Sequence, residues 1–540
     1  MVLKEQELLQ IDELFLRRLQ EHDSDALVGL SIKLTSDLKE ALERLNQNPS
    51  NSSKPSGSLA PWDKATTEEE DDESTIDEKD ALRSGIDIDK EEPTTTINNE
   101  EEDSSQSTES TKPKESRKPG RQPGSQGFGR TQKIEITHTI HHSCGGCIIC
   151  NTDLTSVEKA YTGFQSVNIN FGSANAPGLQ LTNTLHIYYS GLCPGCGLEN
   201  QSEPWRAPPD ESDWKNVGMT EWRLVGPDLA ALIVYLSMDT RATRRKVKQF
   251  LLDVFGLELC IGTIQNCIVE SARALEPVEE QLIEDLRDEL LMYADETSLN
   301  EAKKRLWLWV FMTSATALFL VGYRTKEIFT NLFDAFTPEF DGYLMTDGYR
   351  LYRTYQKRLR CWAHLLRKAQ GLCDSYTTAS KSYGKQVLDI LNSLIDAVYQ
   401  AREGPDKGKA SISAHHQEQL NNLRKICEEM STSSHKKTSE LGREFLNDWE
   451  AIFRVLERPE LPLTNNEAER ALRHWVILRK ITQGTRSEQG SRALALFASV
   501  FTTCRLRKSS PLLYIRDVIN QRRQGKDLPE LPQLPAMVAG

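Results

Sequence analysis

Leu290-Leu291-Met292-Tyr293-Ala294-Asp295-Glu296-Thr297 reads as an apolar strand that ends on a carboxylate. Gly342-Tyr343-Leu344-Met345-Thr346-Asp347-Gly348 repeats the pattern 52 residues later (347 − 295). Strands that finish on acids at one edge of a sheet bring those acids side by side. Anions gathered this way repel one another unless divalent cations lie between them. The pattern therefore points to a two-metal site, with ions roughly 3.5–4 Å apart clamping the attacking and leaving oxygens of a phosphodiester. Between the two runs, residues 306–323 (LWLWVFMTSATALFLVGY) reach the length of a membrane span. Thr313, Ser314 and Thr316 interrupt the centre, and both ends are aromatic and β-branched. Two buried strands joined by a tight turn are predicted, with no membrane partner.

A third ligand is expected from a helix packed on that sheet. Asn465-Asn466-Glu467-Ala468-Glu469-Arg470-Ala471-Leu472-Arg473 offers two acids. Two residues apart, Glu467 and Glu469 face nearly opposite sides of a helix, so one of them points inward. The apolar face of Ala468, Leu472, Trp475 and Val476 leaves the choice open. Each acid also has a plain structural reading. Asp295 fits a strand-end turn, Asp347-Gly348 is an ordinary turn dipeptide, and Glu469 with Arg473 is an i,i+4 surface pair. Between Asn465 and Lys508 there are nine Lys and Arg against three acids. Arg470, Arg473, Arg479 and Lys480 are expected to form a positive rim suited to phosphates.

Five of the eleven cysteines fall between Cys144 and Cys196. Cys193-Pro194-Gly195-Cys196-Gly197 has the spacing of a zinc knuckle, and Cys147-Ile148-Ile149-Cys150 is its partner, with Cys144 as a competitor. Two such knuckles separated by a β-rich stretch predict a zinc ribbon, a closed structural Zn²⁺ site held by Cys147, Cys150, Cys193 and Cys196. The N-terminus, Met1-Val2-Leu3-Lys4-Glu5-Gln6, has no apolar signal region, so a reducing cytoplasmic setting is expected.

The net charge of −13 argues against nucleic acid as a partner until its distribution is considered. Residues 63–103 hold 18 acids and four bases, a local −14, which leaves the rest of the chain near +1 (−13 minus −14). That stretch lies in a Ser-, Thr- and Asn-rich region expected to be disordered. The charge then reverses at Arg117-Lys118-Pro119-Gly120-Arg121, an extended segment suited to DNA phosphates or a minor groove. Further on, Thr240 to Phe250 opens a basic helix containing Arg244, Arg245 and Lys246. Phe255-Gly256-Leu257 makes a turn, and Gln265 and Asn266 fall near the start of the next helix. Helix, glycine turn and helix is the arrangement that lays a second helix in the major groove, where Gln and Asn read adenine edges. Residues 1–48 have leucines at helical spacing and predict a helical or coiled-coil arm.

The acids within Tyr293-Ala294-Asp295-Glu296-Thr297, Thr346-Asp347-Gly348-Tyr349 and Asn465-Asn466-Glu467-Ala468-Glu469-Arg470 resemble the DDE triad of the insertion-sequence-66 transposase family. Cys361-Trp362-Ala363-His364 and Gly484-Thr485-Arg486-Ser487 resemble two further signatures of that family, and the likeness spans about residues 115–515. The long acidic insert at 63–103 departs from it. The resemblance selects Glu469 over Glu467 and implies an RNase H-like catalytic fold, interrupted by a helical insertion. The expected architecture is multidomain α/β. A helical arm (1–48) and a disordered acidic-then-basic linker (49–133) precede a zinc ribbon (134–210) and a helix-turn-helix-like DNA-binding region (220–288). An RNase H-like DDE domain (289–515, insertion about 370–460) and a tail (516–540) follow.

The implied function is DNA cleavage and strand transfer at an element's terminal inverted repeats. Asp295, Asp347 and Glu469 would bind Mg²⁺ or Mn²⁺, with His364, Arg470 and Arg473 as accessory groups. Double-stranded DNA, a homodimer in the active complex and small accessory proteins are the expected partners, with the protein on the nucleoid. A DNA-binding regulator without chemistry is the alternative.

Overall fold

The computed structural model describes residues 15, 20, 23–45, 132, 134–173, 176–202, 225–335 and 340–533. The acidic stretch and the basic segment with Arg117, Lys118 and Arg121 lie outside them. The described chain is mixed α/β, with helices and two sheets. Among the described residues, no helix is long and apolar enough to cross a membrane.

Helix α1 (Ser24–Leu45) comes first and leaves Val28, Ile32 and Leu38 exposed. A small sheet follows, built from β1 (His138–His142), β2 (Lys159–Ser173), β3 (Ala176–Leu192) and β4 (Glu199–Gln201). Its order is β1-β3-β2, with β4 paired to β3. Four helices come next: α2 (Pro227–Met238), α3 (Arg244–Phe255), α4 (Ile261–Leu275) and α5 (Val278–Arg287). Eight of the twelve α2 residues are buried, as its nearly unbroken apolar sequence requires.

The larger sheet comprises β5 (Leu291–Glu301), β6 (Lys304–Met312), β7 (Ala317–Gly322), β8 (Tyr343–Thr346) and β9 (Arg358–Arg360). It runs in the order β7-β6-β5-β8-β9. The first three strands form an antiparallel meander, and β5, β8 and β9 are parallel. The apolar run 306–323 is thus two strands, and its polar centre makes the turn. Thr313 N–H donates to the Thr316 carbonyl (2.8 Å), while the Thr313 hydroxyl accepts from Ala315 and Thr316 N–H. Helix α6 (Lys326–Ala335) links β7 towards β8.

The free edge of β7 would invite strand pairing with another chain. Helix α13 (Glu488–Leu506) blunts it. Its Thr503 and Ser499 hydroxyls, one turn apart, accept from Ala317 N–H (3.0 Å) and Phe319 N–H (2.8 Å). Helix α14 (Pro511–Arg523) returns to α2 and α4, where Arg523 and Glu270 form a buried ion pair at 2.6 Å. The expected boundary between 515 and 516 therefore falls inside a packed helix. The apolar face of α14 had no visible partner in sequence, because that partner lies about 250 residues upstream. Helices α2 to α5, one face of the sheet and α13 and α14 share one core.

Helices α7 (Trp362–Cys373), α8 (Thr378–Glu403), α9 (Gln417–Met430), α10 (Lys436–Asn447) and α11 (Trp449–Phe453) build a second core with Met345 and Leu359 of the sheet. This helical stretch opens at Trp362, earlier than the expected 370. Charge fastens it to the sheet. Asp448 accepts from Arg358 (2.6 Å) and Arg353 (2.8 Å) and lies 3.2 Å from Arg360. Burial alone would raise the Asp448 carboxyl, but the three guanidiniums hold it below its ordinary value.

Candidate active site and metal centre

Asp295 was expected to end its strand. It lies within β5, opposite Val310 of β6, because the hairpin with β6 runs on to Glu301–Lys304. What ends near Asp295 is the other edge. Pairing of β5 with β8 stops at Tyr293–Met345, and beyond it helix α12 (Asn466–Thr482) takes the place of β8. Asn465 Nδ2 donates to the Ala294 carbonyl (2.9 Å), and Thr485 N–H donates to the Asn300 carbonyl (2.8 Å). The sheet therefore forks at Asp295, at the carboxyl end of its parallel strands, where open α/β sheets leave a crevice. Asp347 follows β8 directly on the other arm, and its Oδ1 accepts from Tyr349 N–H (2.8 Å). A Cβ at Gly348 would lie 2.7 Å from Arg360 Nη2 and 2.8 Å from Glu444 Oε1, so a larger residue there would push on that ion pair.

Glu469 lies in the first turn of α12. Of the two glutamates in question, Glu467 pairs at the surface with Arg470 (3.0 Å), while Glu469 lies beside His364. Arg470 is thus bound to Glu467. Arg479 is not part of a free rim either. Half-buried, it donates to the Thr297 (2.8 Å) and Ser298 (3.1 Å) hydroxyls and fastens α12 to β5. Arg473, four residues beyond Glu469, is half-buried.

Burial, then the charges of Asp347, Glu469 and Glu296, raise the Asp295 carboxyl well above its ordinary value. Glu296 also rises through burial and Asp347, although Tyr352 and Arg324 oppose the shift. Glu296 is a site residue that sequence reading missed. It accepts from Tyr352 Oη (2.5 Å) and from Arg324 Nε (2.9 Å). The Arg324 guanidinium lies over the rings of Tyr349 (3.8 Å) and Trp307 (4.4 Å). The signal was present in sequence: adjacent acids on a strand point to opposite faces, so the second needs its own partner.

His364 Nδ1 stands 3.8 Å from Glu469 Oε1. Burial, with the nearby charges of Arg367, Arg360 and Lys368, holds this imidazole neutral, well below its ordinary value. Ligand atoms of Cys361, His364 and Glu469 all lie within 4.8 Å of one another. Among the described residues, Asp295, Asp347 and Glu469 are not a set whose ligand atoms all gather to that spacing. The acids share a field, and the Glu469 carboxylate is grouped with Cys361 and His364.

The four cysteines meet. Cys147 Sγ lies 3.5 Å from Cys196 Sγ, and Cys150 Sγ lies 3.4 Å from Cys193 Sγ. All four sulfurs fall within 4.8 Å of one another, a donor set suited to tetrahedral zinc. Positive φ at Asn151 (61°) and Gly197 (73°) turns each loop back on itself. The N–H groups of Cys150 and Ile149 pull the Cys147 thiol down to about 6, which favours the thiolate that binds metal. Cys144 is turned away and donates to the Tyr189 carbonyl (3.0 Å).

Helices α3 and α4 are joined through Gly256 (φ 60°). The side chains of Arg244 and Gln265 hydrogen-bond to each other (3.1 Å), whereas Arg245, Lys246 and Asn266 are exposed. A DNA-reading role for Arg244 and Gln265 would have to break that mutual contact.

Two relatives come from Sinorhizobium fredii (strain NBRC 101917 / NGR234). The uncharacterized protein y4qI is 25% identical over 312 residues, 52% of this chain and 56% of its own length. The uncharacterized protein y4jO is 28% identical over 179 residues, 33% of this chain and 51% of its own. The chain thus spans about half the length of these curated relatives. The model of the family described as "Transposase IS66 family" matches residues 223–493, which take in Asp295, Asp347, His364 and Glu469. Through that match, which covers half of its length, the chain belongs to the IS66 family of transposases.

Proposed function

We propose that the protein is an insertion-sequence transposase that binds the terminal inverted repeats of its element, cleaves DNA strands there and transfers them to a target. The observation that carries this reading is the fork. Two aspartates stand at the ends of adjacent parallel pairing, and Glu469 comes from the helix that fills the fork. The strand order β7-β6-β5-β8-β9, with an antiparallel meander beside three parallel strands, supports an RNase H-like core.

The donor set fits Mg²⁺ or Mn²⁺. Asp295 is raised by its burial and then by the carboxylates around it, and oxygen-only ligands are what hard divalent ions accept. Ions held by Asp295, Asp347 and Glu469 would supply activation of the attacking oxygen and stabilisation of the leaving oxygen. Strand pairing holds Asp295, the Tyr349 N–H holds the Asp347 carboxylate, and Glu469 would join them as the third ligand. His364 acts as an accessory polar group at the rim. The four-cysteine ribbon holds structural zinc. The α3–α4 helix-turn-helix, through Arg245, Lys246 and Asn266, and the basic segment with Arg117, Lys118 and Arg121 bind double-stranded DNA. The active complex is a dimer, assisted by small accessory proteins of the element.

A strand-transfer assay on element-end DNA tests this. Wild-type protein should nick and join DNA with Mg²⁺, and Asp295→Ala and Asp347→Ala should each lose both steps. Wild-type protein that binds DNA without Mg²⁺-dependent nicking overturns the reading and makes the protein a regulator.

A further inference from the structure

Cys361, His364 and Glu469 bring a thiol, an imidazole and a carboxylate together from two helices. Cys361 caps α7, His364 lies in its first turn, and Glu469 lies in the first turn of α12. Zinc with nitrogen and oxygen ligands at about 2.0–2.2 Å sets those ligand atoms roughly 3.3 Å apart. The gap between His364 Nδ1 and Glu469 Oε1 is 3.8 Å, close to that spacing and too wide for a hydrogen bond. His364 Nδ1 is buried and makes no hydrogen bond. Asn465 N–H points at Cys361 Sγ (3.3 Å), an outer contact of the kind that orients a metal-bound sulfur. Sulfur, nitrogen and one carboxylate suit zinc; magnesium demands an octahedron of oxygens.

We propose that Cys361, His364 and Glu469 form a second zinc site, separate from the four-cysteine centre, and that zinc bound there holds Glu469 away from Asp295 and Asp347. As the zinc–sulfur bond forms, the Cys361 thiol proton leaves to solvent. Arg360, Arg367 and Lys368 stand near the imidazole and oppose a dication, although Arg360 and Lys368 are already bound to Glu444. The site therefore fills after the four-cysteine centre and empties before it. Its regulatory half rests on the catalytic reading of the three acids; its metal-binding half does not.

Full-length protein dialysed against excess zinc and then analysed for metal tests the site. Wild type should hold two zinc ions per chain, and Cys361→Ser and Glu469→Gln should each hold one, with unchanged circular dichroism. The Glu469 variant guards against misfolding, since that side chain is one-third exposed (34%). One ion in wild type, or two in both variants, overturns the site. In the cleavage assay, added zinc should slow Mg²⁺-dependent nicking by wild type at least about tenfold and leave Cys361→Ser unaffected. Two ions with no inhibition overturns the regulatory half alone. A wild type with two ions but no nicking refutes the catalytic reading while the second site stands.

Discussion

The four-cysteine centre and the carboxylate fork collect their ligands in opposite ways. Each C-x-x-C loop aims its own pair of sulfurs, and the β2–β3 hairpin joins the loops across 46 residues (193 − 147). The N–H groups of Cys150 and Ile149 already stabilise the Cys147 thiolate before an ion arrives, so little electrostatic cost precedes binding. The acids at the fork span 174 residues (469 − 295), and the raised Asp295 carboxyl records what burying them and then gathering them costs. One arrangement is closed and suited to structure. The other gathers like charges in a buried crevice, which costs stability until something neutralises them.

Removing a thiol should have the largest effect. Cys193→Ser should lose the zinc of the ribbon and leave β1–β4 sensitive to protease, while the helices of 225–533 keep their circular dichroism. Full zinc content in that variant would break the comparison.

Asp295→Asn is the next strongest. Cleavage should fall by roughly three orders of magnitude, the scale of several kcal/mol of metal-borne stabilisation. Stability should move the other way. Because folding raises the Asp295 pKa, its contribution is fully present below the unfolded value, about 4, and is lost as pH rises through the folded value. Metal-free wild type should therefore melt lower than Asp295→Asn at neutral pH, and Mg²⁺ should raise the melting temperature of wild type more. Thermal melts with and without Mg²⁺ check both. A variant less stable than wild type at neutral pH would show that burial and repulsion of the Asp295 charge do not govern stability at the fork.

A buried ion pair gives a control in which charge is already paired. Asp448→Asn leaves Arg353, Arg358 and Arg360 without their shared negative charge and should cost about 3–5 kcal/mol in urea unfolding. A cost under about 1 kcal/mol would mean the insertion is held by its apolar core alone. Smallest is the edge of the sheet: Thr503→Val removes the acceptor for Ala317 N–H and should cost about 1–3 kcal/mol.

Local pattern carried much of the reading. The apolar runs around 306–323 could be placed as two strands because polar residues mark their turn, and Asp347 closes its strand as its Asp-Gly dipeptide indicates. The knuckles follow from spacing alone. Asp295 was misplaced because the length of β5 is set by its partner β6, and the break on its other edge by a helix about 170 residues away. The same distance hid the role of Arg479, which reads as a free cation and is consumed by Thr297 and Ser298.

By itself the sequence determined the two strands around the 313–316 turn, the paired cysteine loops and which acids stand beside apolar runs, since each depends on neighbours within a few residues. Tertiary structure decided which of Glu467 and Glu469 turns inward, that Glu296 needs Arg324 and Tyr352, and that Cys361 and His364 meet a carboxylate. Those outcomes depend on which faces pack together, and burial and charge act through space without regard to separation along the chain.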